Sequence, residues 1–260
     1  MNIIRFNYDS IDSTNLEAHR FWRRADTRAQ ARRARREGNR VTWVFVAREQ
    51  AAGRGRLGRS WKSPAGGLWV TILWPLETDP AQAQTIPLVA GLAVVEALQR
   101  GTVSSCRIKW PNDVLLNGRK VSGILCELEA GTDLPAVIIG IGINANFPAR
   151  DLSPAVSYPV TSLLDETGAQ TDLERLVAAV LEELCAKLLK FETEGITPFL
   201  PFINAALAWV NSMVTVSGSE AGEVTGLLRG IDAQGRLLVD CQGLVVPLLT
   251  GEVRKMVTED

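Results

Sequence analysis

The amino-acid sequence predicts an α/β protein with a larger domain over residues 1–212 and a small β-barrel over residues 213–260. Within the larger range, apolar residues recur at helical spacing in some segments and form strand-like runs in others. From Met213 onward the pattern changes to short strands separated by Gly, Asp and Ser turns. With 46% hydrophobic residues and a formal net charge of −1, the 260-residue chain has an ordinary soluble composition that indicates no particular partner.

Helices are predicted where a capping residue precedes a segment with helical periodicity. The first follows a Ser-Thr-Asn triplet and continues, rich in Arg and Ala, to Arg36. The second spans residues 85–99. The third begins at a capping box of Thr171 and Glu174 and carries one apolar stripe to a stop at Gly195.

Strands are predicted where β-branched and aromatic residues cluster. In the larger domain these runs are residues 40–47, 67–75, 107–110, 120–128 and 136–143. The Asn117-Gly118 dipeptide predicts a hairpin turn between the run 107–110 and the run 120–128. In the barrel the runs are residues 213–217, 222–228, 236–240 and 244–249.

Several classes of protein are disfavoured by the composition. The first ten residues contain Arg5 and Asp9 and no continuous apolar run, and no other stretch has the roughly 18 apolar residues of a membrane span. A cytoplasmic protein is therefore expected. The four cysteines lack CxxC spacing and are interpreted as reduced core residues. The single histidine, His19, argues against zinc and Ser-His-Asp chemistry and is interpreted as an exposed helix residue.

A loop with three glycines and three arginines, residues 50–61, follows the first predicted strand. Glycines let backbone N–H groups approach an anion, and guanidinium groups bind carboxylate or phosphate bidentately. We therefore expect an anionic ligand. The glycines also match GxGxxG, but a dinucleotide-binding turn requires a helix to begin within the motif, whereas a strand follows here. A solvated surface loop is the simpler alternative.

Five segments resemble motifs of the biotin–protein ligases, in the family's order. They are STN at residues 13–15, the GRGRxGRxW loop at 53–61, KWPND at 109–113, GRKxxGIL at 118–125 and GxGIN at 140–144. The resemblance is strong over residues 9–147 and weaker toward the C-terminus. It implies a catalytic domain with a mixed sheet, related to class II aminoacyl-tRNA synthetases, followed by an SH3-like barrel.

The resemblance also implies an activity and its ligands. Biotin–protein ligases form biotinyl-5′-AMP from biotin and ATP, with Mg²⁺, and transfer biotin to a lysine of a biotin carboxyl carrier domain of a carboxylase. It assigns no metal ligands here and is compatible with a homodimer. The residues it implies for biotin are Ser13, Thr14, Asn15, Gln50, Gly53, Arg54, Gly55, Arg56, Trp61 and Lys120. Those it implies for ATP are Arg54, Arg56, Arg59, Trp61, Asn112, Lys120 and Asn144.

The expected chemistry explains these residue types. Hydroxyl and amide groups suit the ureido ring of biotin, which both donates and accepts hydrogen bonds. Activation joins two anions, so Lys120 and Arg56 are the expected cations, the lysine near the carboxylate and the arginine closing over both groups. By analogy, Asp113 accepts a bond from the incoming lysine and Asn112 holds phosphate or Mg²⁺. For the pair Lys109 and Trp110 a catalytic and a structural role are equally supported.

Two further features bear on partners. Some family members carry an N-terminal helix-turn-helix that represses biotin genes, but the STN motif begins here at residue 13, so sequence-specific DNA binding is not expected. Residues 20–40 hold nine arginines against Asp26 and Glu37. A solvated helix face is one interpretation. The other is a basic surface that steers an acidic carrier domain or nucleic acid, which would make the transfer rate fall as salt rises.

Two other functions are weighed. A lipoate–protein ligase would use the same adenylation chemistry but should lack the STN triplet and the paired GRGRxGR and KWPND segments. A basic nucleic-acid-binding protein would interleave basic and aromatic residues along more of the chain than residues 20–40. The motifs favour the biotin–protein ligase over both.

Overall fold

The computed structural model of the chain describes residues 1–101, 103, 105–130, 134–152 and 158–256. It divides into two units. One comprises Met1–Ala83 and Arg119–Glu182, and the other Gln84–Gly118 and Glu183–Asp260. The boundary expected near residue 212 stays a prediction, and the last four residues of the expected barrel range lie outside the described residues.

The described ranges contain strands, helices and short 3-10 turns. The strands are β1 Asn2–Ile11, β2 Val41–Gln50, β3 Leu68–Pro75, β4 Cys106–Lys109, β5 Asp113–Leu116, β6 Arg119–Glu129, β7 Ala136–Ile143, β8 Met213–Ser219, β9 Gly222–Ile231, β10 Leu237–Cys241, β11 Leu244–Leu248 and β12 Glu252–Lys255. The helices are α1 Thr14–Arg23, α2 Ala25–Arg36, α3 Ile86–Gln99, α4 Leu163–Thr167, α5 Leu173–Glu194 and α6 Leu200–Ala206. The 3-10 turns are Arg56–Gly58, Pro80–Thr85, Ala149–Asp151 and Thr197–Phe199.

The first unit is built on a mixed sheet in the order β1-β2-β3-β7-β6. β1 and β2 are parallel, and the remaining neighbours are antiparallel. All eight residues of β3 are buried, which agrees with its continuous apolar sequence. Strand β1 was not predicted from the sequence, although Ile4, Phe6 and Tyr8 alternate with polar residues as in a strand with one face on the core.

The predicted single helix from the STN triplet to Arg36 is wrong, because the chain breaks at Arg24 into α1 and α2. Arg24 has an extended ψ of 133°. The break frees the carbonyl of Trp22, which accepts a bond from Arg28 at 2.7 Å. Trp22 is fully buried, with its ring 6.2 Å from that of Trp43. Burial of this large ring against the sheet outweighs the helix propensity of the Arg- and Ala-rich sequence.

α5 forms as expected, but a different residue caps it. The side chain of Asp172 accepts a bond from the backbone N–H of Arg175 at 3.1 Å, so the cap is not Thr171. Glu174 pairs instead with Arg5 at 2.7 Å. The helix ends at Gly195, whose φ of 67° is the left-handed conformation typical of a helix stop.

The second unit combines α3 and a β4–β5 hairpin with a five-stranded antiparallel sheet in the order β11-β10-β9-β8-β12. The four barrel strands predicted from the sequence are present. β5 and β12, each four residues long, were missed. The predicted hairpin needs correction, because β4 pairs with β5. Asn117 and Gly118, with φ of 50° and 75°, turn the chain between β5 and β6 instead.

The four cysteines are free, as expected from the sequence. Burial raises the pKa of Cys106 and Cys185 to about 11, which keeps both thiols protonated and unreactive at neutral pH. Among the described residues, one helical segment, Pro80–Gln99, is long and apolar enough to span a membrane, although 72% of its apolar 18-residue window is buried inside the chain. Such burial is typical of a core helix.

Candidate functional site

The Ser-Thr-Asn triplet lies buried at the N-terminus of α1. Ser13 caps the helix by accepting a bond from the backbone N–H of Leu16. Gln50 Oε1 accepts from the Thr14 backbone N–H at 2.8 Å and from its hydroxyl at 3.1 Å. The Gln50 amide nitrogen donates to Ser63 Oγ at 2.7 Å. These bonds fix which way the Gln50 amide points and join the triplet to both ends of the glycine-arginine loop.

Asn15 continues this network onto the sheet. Thr71 Oγ1 bonds Asn15 Oδ1 at 2.7 Å and Thr14 Oγ1 at 2.8 Å. On its other side, the Asn15 amide nitrogen donates to Glu127 Oε2 at 2.9 Å. A Cβ at Gly140 would overlap the Asn15 oxygen, so β7 must carry glycine there. The sequence therefore positions Asn15 through groups on three strands.

The glycine-arginine loop, residues 50–63, is a closed hairpin. Its ladder includes the bonds from Trp61 N–H to the Gly53 carbonyl and from Gly55 N–H to the Arg59 carbonyl, both 2.8 Å. The tip is the 3-10 turn Arg56–Gly58, where Leu57 is 85% exposed. No α-helix begins within the motif, which holds only this three-residue 3-10 turn and leads into strand β3, so it is not a dinucleotide-binding turn.

Trp61 lies against a glycine-lined part of the sheet. A Cβ at Gly142 would come within 2.7 Å of the Trp61 ring nitrogen, and one at Gly123 within 3.0 Å of its ring carbons. Lys120 Nζ is 5.1 Å from the centroid of the Trp61 ring, a cation–π contact. Trp69 meets the same ring edge-on at 6.4 Å. The loop, β6 and β7 thus bring together a cation, an aromatic face and exposed backbone.

Two buried polar atoms near this surface, Trp61 Nε1 and Asn144 Oδ1, lack a hydrogen-bond partner in the part of the chain that the structure describes. Asn144 follows β7, and its amide nitrogen donates to the Thr161 carbonyl at 3.0 Å, which holds its oxygen in place. Since buried polar atoms are rarely left unpaired, such atoms are candidates to bind a ligand.

Most of the predicted site residues belong to the first unit: Ser13, Thr14, Asn15, Gln50, Gly53, Arg54, Gly55, Arg56, Arg59, Trp61, Lys120 and Asn144. The contacts described above connect the Ser-Thr-Asn triplet to Gln50, and Trp61 to Lys120. Asn112 and Asp113 belong to the second unit, at the connection between β4 and β5. In that unit Lys109 is buried, and Trp110 donates from its ring nitrogen to the Gly235 carbonyl at 3.0 Å. The contact of Trp110 supports a structural role.

His19 and its partners were missed by the sequence analysis. The expectation that His19 is exposed is wrong, because its ring lies between Glu127 and Glu129 with only 16% of the side chain exposed. Arg54 also approaches Glu127, at 3.3 Å. No local pattern could reveal these contacts, since about 110 residues separate His19 from the two carboxylates.

The basic segment at residues 20–40 is partly neutralised by acidic neighbours. Arg20 pairs with Asp12 and Glu17, and Arg33 pairs with Glu37 at 2.9 Å. These pairs agree with a solvated helix face.

Across the described ranges, no cluster of three or more His, Cys, Asp or Glu side chains is placed to hold a metal ion.

The chain matches two families of known proteins. Residues 23–144 match the Biotin/lipoate A/B protein ligase family, and residues 210–256 match the Biotin protein ligase C terminal domain. It is 38% identical over 204 residues to the biotin–[acetyl-CoA-carboxylase] ligase of Paracoccus denitrificans, covering 76% of this chain and 83% of that one. It is also 38% identical over 210 residues to the bifunctional ligase/repressor BirA of Escherichia coli strain K12, covering 80% of this chain.

A solved structure extends this similarity to the fold. A biotin protein ligase from Aquifex aeolicus in complex with biotin and ATP superimposes with a TM-score of 0.80 at 30% identity, covering 97% of this chain and 99% of that one. The chain spans only 64% of the length of the Escherichia coli relative. The biotin and lipoate protein ligases are thus the class to which the fold corresponds. Within that class, the chain belongs to the biotin protein ligase family.

The close packing of Gly140 allows a direct test of the site. Gly140→Ala is expected to displace Asn15, destabilise the chain by about 1–3 kcal/mol and weaken biotin binding. Chemical denaturation and titration calorimetry with biotin measure the two effects. Gly101→Ala is the control, because a Cβ there approaches only the Leu98 carbonyl at 3.3 Å. Equal biotin affinity in both variants would contradict the placement of Asn15 in the site.

Proposed function

We propose that the chain is a ligase that forms biotinyl-5′-AMP from biotin and ATP and transfers biotin to a lysine of a biotin carboxyl carrier domain. The observation that carries the proposal is the site surface: the ordered Ser-Thr-Asn and Gln50 network adjoins a glycine-lined surface with Trp61 and Lys120. The Aquifex aeolicus relative, whose structure holds biotin and ATP, supports the choice of substrates.

For biotin, the polar network and the tryptophan suit different parts of the molecule. The ureido ring needs both hydrogen-bond donors and acceptors. It would bind to the side chains of Ser13, Thr14, Asn15 and Gln50. Trp61 with β3 would line the apolar valeryl chain. Gly53 keeps the loop backbone close, since a Cβ there would come within 2.3 Å of the Trp61 carbonyl oxygen. Gly55 is proposed from the motif alone. Arg54, Arg56 and Lys120 would surround the carboxylate.

For ATP, the proposed residues bear cations, amide groups or an aromatic ring. The set is Arg54, Arg56, Arg59, Lys120, Trp61, Asn112 and Asn144, and of these Asn144 has a buried amide oxygen with no hydrogen-bond partner among the described residues. Joining a carboxylate to an α-phosphate concentrates negative charge, which fixed cations stabilise in the transition state. Among the described residues, no group of three or more His, Cys, Asp or Glu side chains is placed to hold Mg²⁺. We propose that Mg²⁺ arrives with the ATP phosphates, as is common for this ion.

We also propose a residue for the transfer step and two features of the fold. Asp113 would accept a hydrogen bond from the incoming lysine. The relation to class II aminoacyl-tRNA synthetases and closure of the five-stranded sheet into an SH3-like barrel follow from family resemblance. A cytoplasmic location, a homodimer and the absence of sequence-specific DNA binding stay predictions.

A biotin-dependent exchange assay tests the proposal. The purified chain is expected to exchange labelled pyrophosphate into ATP only when biotin is present, and to biotinylate the target lysine of a carrier domain with ATP and Mg²⁺. Lipoate and octanoate should not substitute, which separates this function from that of a lipoate–protein ligase. A carrier domain with that lysine changed to arginine is the control. Exchange that does not depend on biotin would contradict the proposal.

A further inference from the structure

The single histidine of the chain bridges two carboxylates. His19 Nδ1 lies 2.5 Å from Glu129 Oε1, and Nε2 lies 3.2 Å from Glu127 Oε2. A neutral imidazole has one N–H donor and one lone pair, so it can serve only one of these carboxylates. With both glutamates as carboxylates, which only accept hydrogen bonds, the two contacts together need the imidazolium form, in which both nitrogens donate.

The charges around the imidazole favour that form. The hydrogen bond with Glu127 raises the pKa of His19, and the bond with Glu129 adds to the rise, although partial burial opposes both. The bond with His19 in turn lowers the pKa of Glu127. Arg23 Nη2 lies 3.6 Å from Glu129, and Arg54 Nη1 lies 3.3 Å from Glu127. On the same helix, Arg20 and Glu17 are paired with each other.

Glu127 connects the histidine to the predicted biotin-binding residues. Its Oε2 atom, which faces His19, also accepts the bond from the Asn15 amide at 2.9 Å. Its Oε1 atom faces Arg54. Asn15 is linked through Thr71 to Thr14, and Thr14 to Gln50. A continuous series of hydrogen bonds therefore runs from the imidazole to the amide that joins the glycine-arginine loop.

We propose that His19 is a positioning residue for biotin: its imidazolium form holds Glu127 in the orientation that fixes Asn15 and Arg54. This inference rests on the proposed function, since it assumes that these two residues bind biotin. His19 touches no substrate in this account and acts only through Glu127.

Deprotonation has a defined consequence. The shorter contact, with Glu129, is the one that a single remaining N–H would keep. The lone pair on Nε2 would then face Glu127 Oε2, which repels it and leaves Asn15 with a less restrained acceptor. A cavity of about 360 Å³ borders His19, Arg54 and Glu127, so solvent can exchange the proton.

The direction of the pH effect follows. Because the pKa of His19 is raised in the folded chain, the stabilising contact is fully present below the ordinary histidine pKa. It is lost as pH rises through the folded value. Biotin affinity should fall over the same interval, and bound biotin should raise the pKa of His19 further, because the two equilibria are linked reciprocally.

The presence of one histidine makes the titration directly observable. In the tag-free full chain, the imidazole proton resonance followed by NMR against pH gives the pKa of His19 with and without biotin. Titration calorimetry then measures biotin affinity at several pH values for the parent and for His19→Gln, Glu127→Gln and Glu37→Gln. The last is a matched control, because Glu37 pairs with an exposed arginine on α2.

The expected result is an affinity loss on the order of tenfold for His19→Gln at low pH, with the parent converging on it as pH rises. Glu127→Gln should weaken binding and lower the pKa of His19, whereas Glu37→Gln should match the parent. Equal affinity and an unchanged pH profile in His19→Gln would overturn the inference. If that variant does not fold, a His19 pKa in the parent that biotin leaves unchanged would overturn it equally. A parent that binds no biotin at all would overturn the proposed function, and this inference with it.

Discussion

Lys120→Ala is expected to slow adenylate formation by a factor on the order of 10² to 10³, because it removes a fixed cation from developing negative charge. The backbone of Lys120 is held before any ligand arrives. Its N–H donates to the Pro159 carbonyl at 2.8 Å, and its carbonyl accepts from Thr161 at 2.9 Å. The ammonium group lies over the Trp61 ring. Biotin-dependent pyrophosphate exchange measures the rate.

A neighbouring cation provides the control for this variant. Arg119 precedes Lys120 on β6, but its guanidinium pairs with Glu166 at 2.7 Å. Arg119→Ala should therefore exchange pyrophosphate at close to the parental rate. Biotin affinity, measured by calorimetry, should fall for Lys120→Ala alone, since its carboxylate loses a partner. Parental exchange by Lys120→Ala, or an equal loss in both variants, would contradict the assignment of Lys120 to the anionic centre.

Much of the candidate site could be predicted because its residues occur in short motifs. Thr14, Gln50 and Trp61 lie in or beside such motifs. Thr14 bonds Gln50 directly, and Ser63 connects Gln50 to the carbonyl of Trp61. The glycines of the last two motifs have a steric reason, since Gly123 and Gly142 leave room for the Trp61 ring. Local sequence is informative here because backbone close to a ligand or ring tolerates few alternatives.

The part of the site that could not be predicted depends on contacts between distant segments. Glu127 lies two residues beyond the last motif residue of β6, and nothing near it in the sequence indicates that it meets Asn15 and His19. The spacing of apolar residues in the sequence does not show that a helix residue pairs with residues on a strand. The interpretation of His19 as exposed therefore relied on helix composition alone, which does not show what lies opposite the helix.

The helices and strands that were predicted correctly have a clear local sequence pattern, whereas, apart from β1, those that were missed are short or depend on distant contacts. The 22 residues of α5 carry a sustained apolar stripe, so the helix is evident even though its cap was misassigned. β5 has only four residues, too few to establish a period. The break between α1 and α2 follows from burial of Trp22, a tertiary effect that overrides local propensity.

Arg56→Ala is expected to fail differently from Lys120→Ala, by releasing the finished adenylate. Arg56 begins the tip of the loop hairpin, whose backbone is closed by the bond from Arg59 N–H to the Arg56 carbonyl at 3.2 Å. The exposed Leu57 beside it shows that the tip has little packing of its own. A charge-assisted bond from Arg56 to the adenylate, worth roughly 1.5 to 3 kcal/mol, would therefore hold the loop closed.

Removing that bond should speed adenylate dissociation by roughly 10- to 100-fold and let it react with lysines of bystander proteins. A chase with excess unlabelled biotin and ATP follows dissociation, and blotting for biotin on an added bystander protein detects the promiscuous reaction. Lys62→Ala is the matched control, an exposed cation just past the loop tryptophan. Because Arg56 acts after the chemical step in this account, synthesis of adenylate should decline less than in Lys120→Ala. If Arg56→Ala retains the adenylate as tightly as the parent, the loop is not a lid, and its arginines are better explained as a solvated surface.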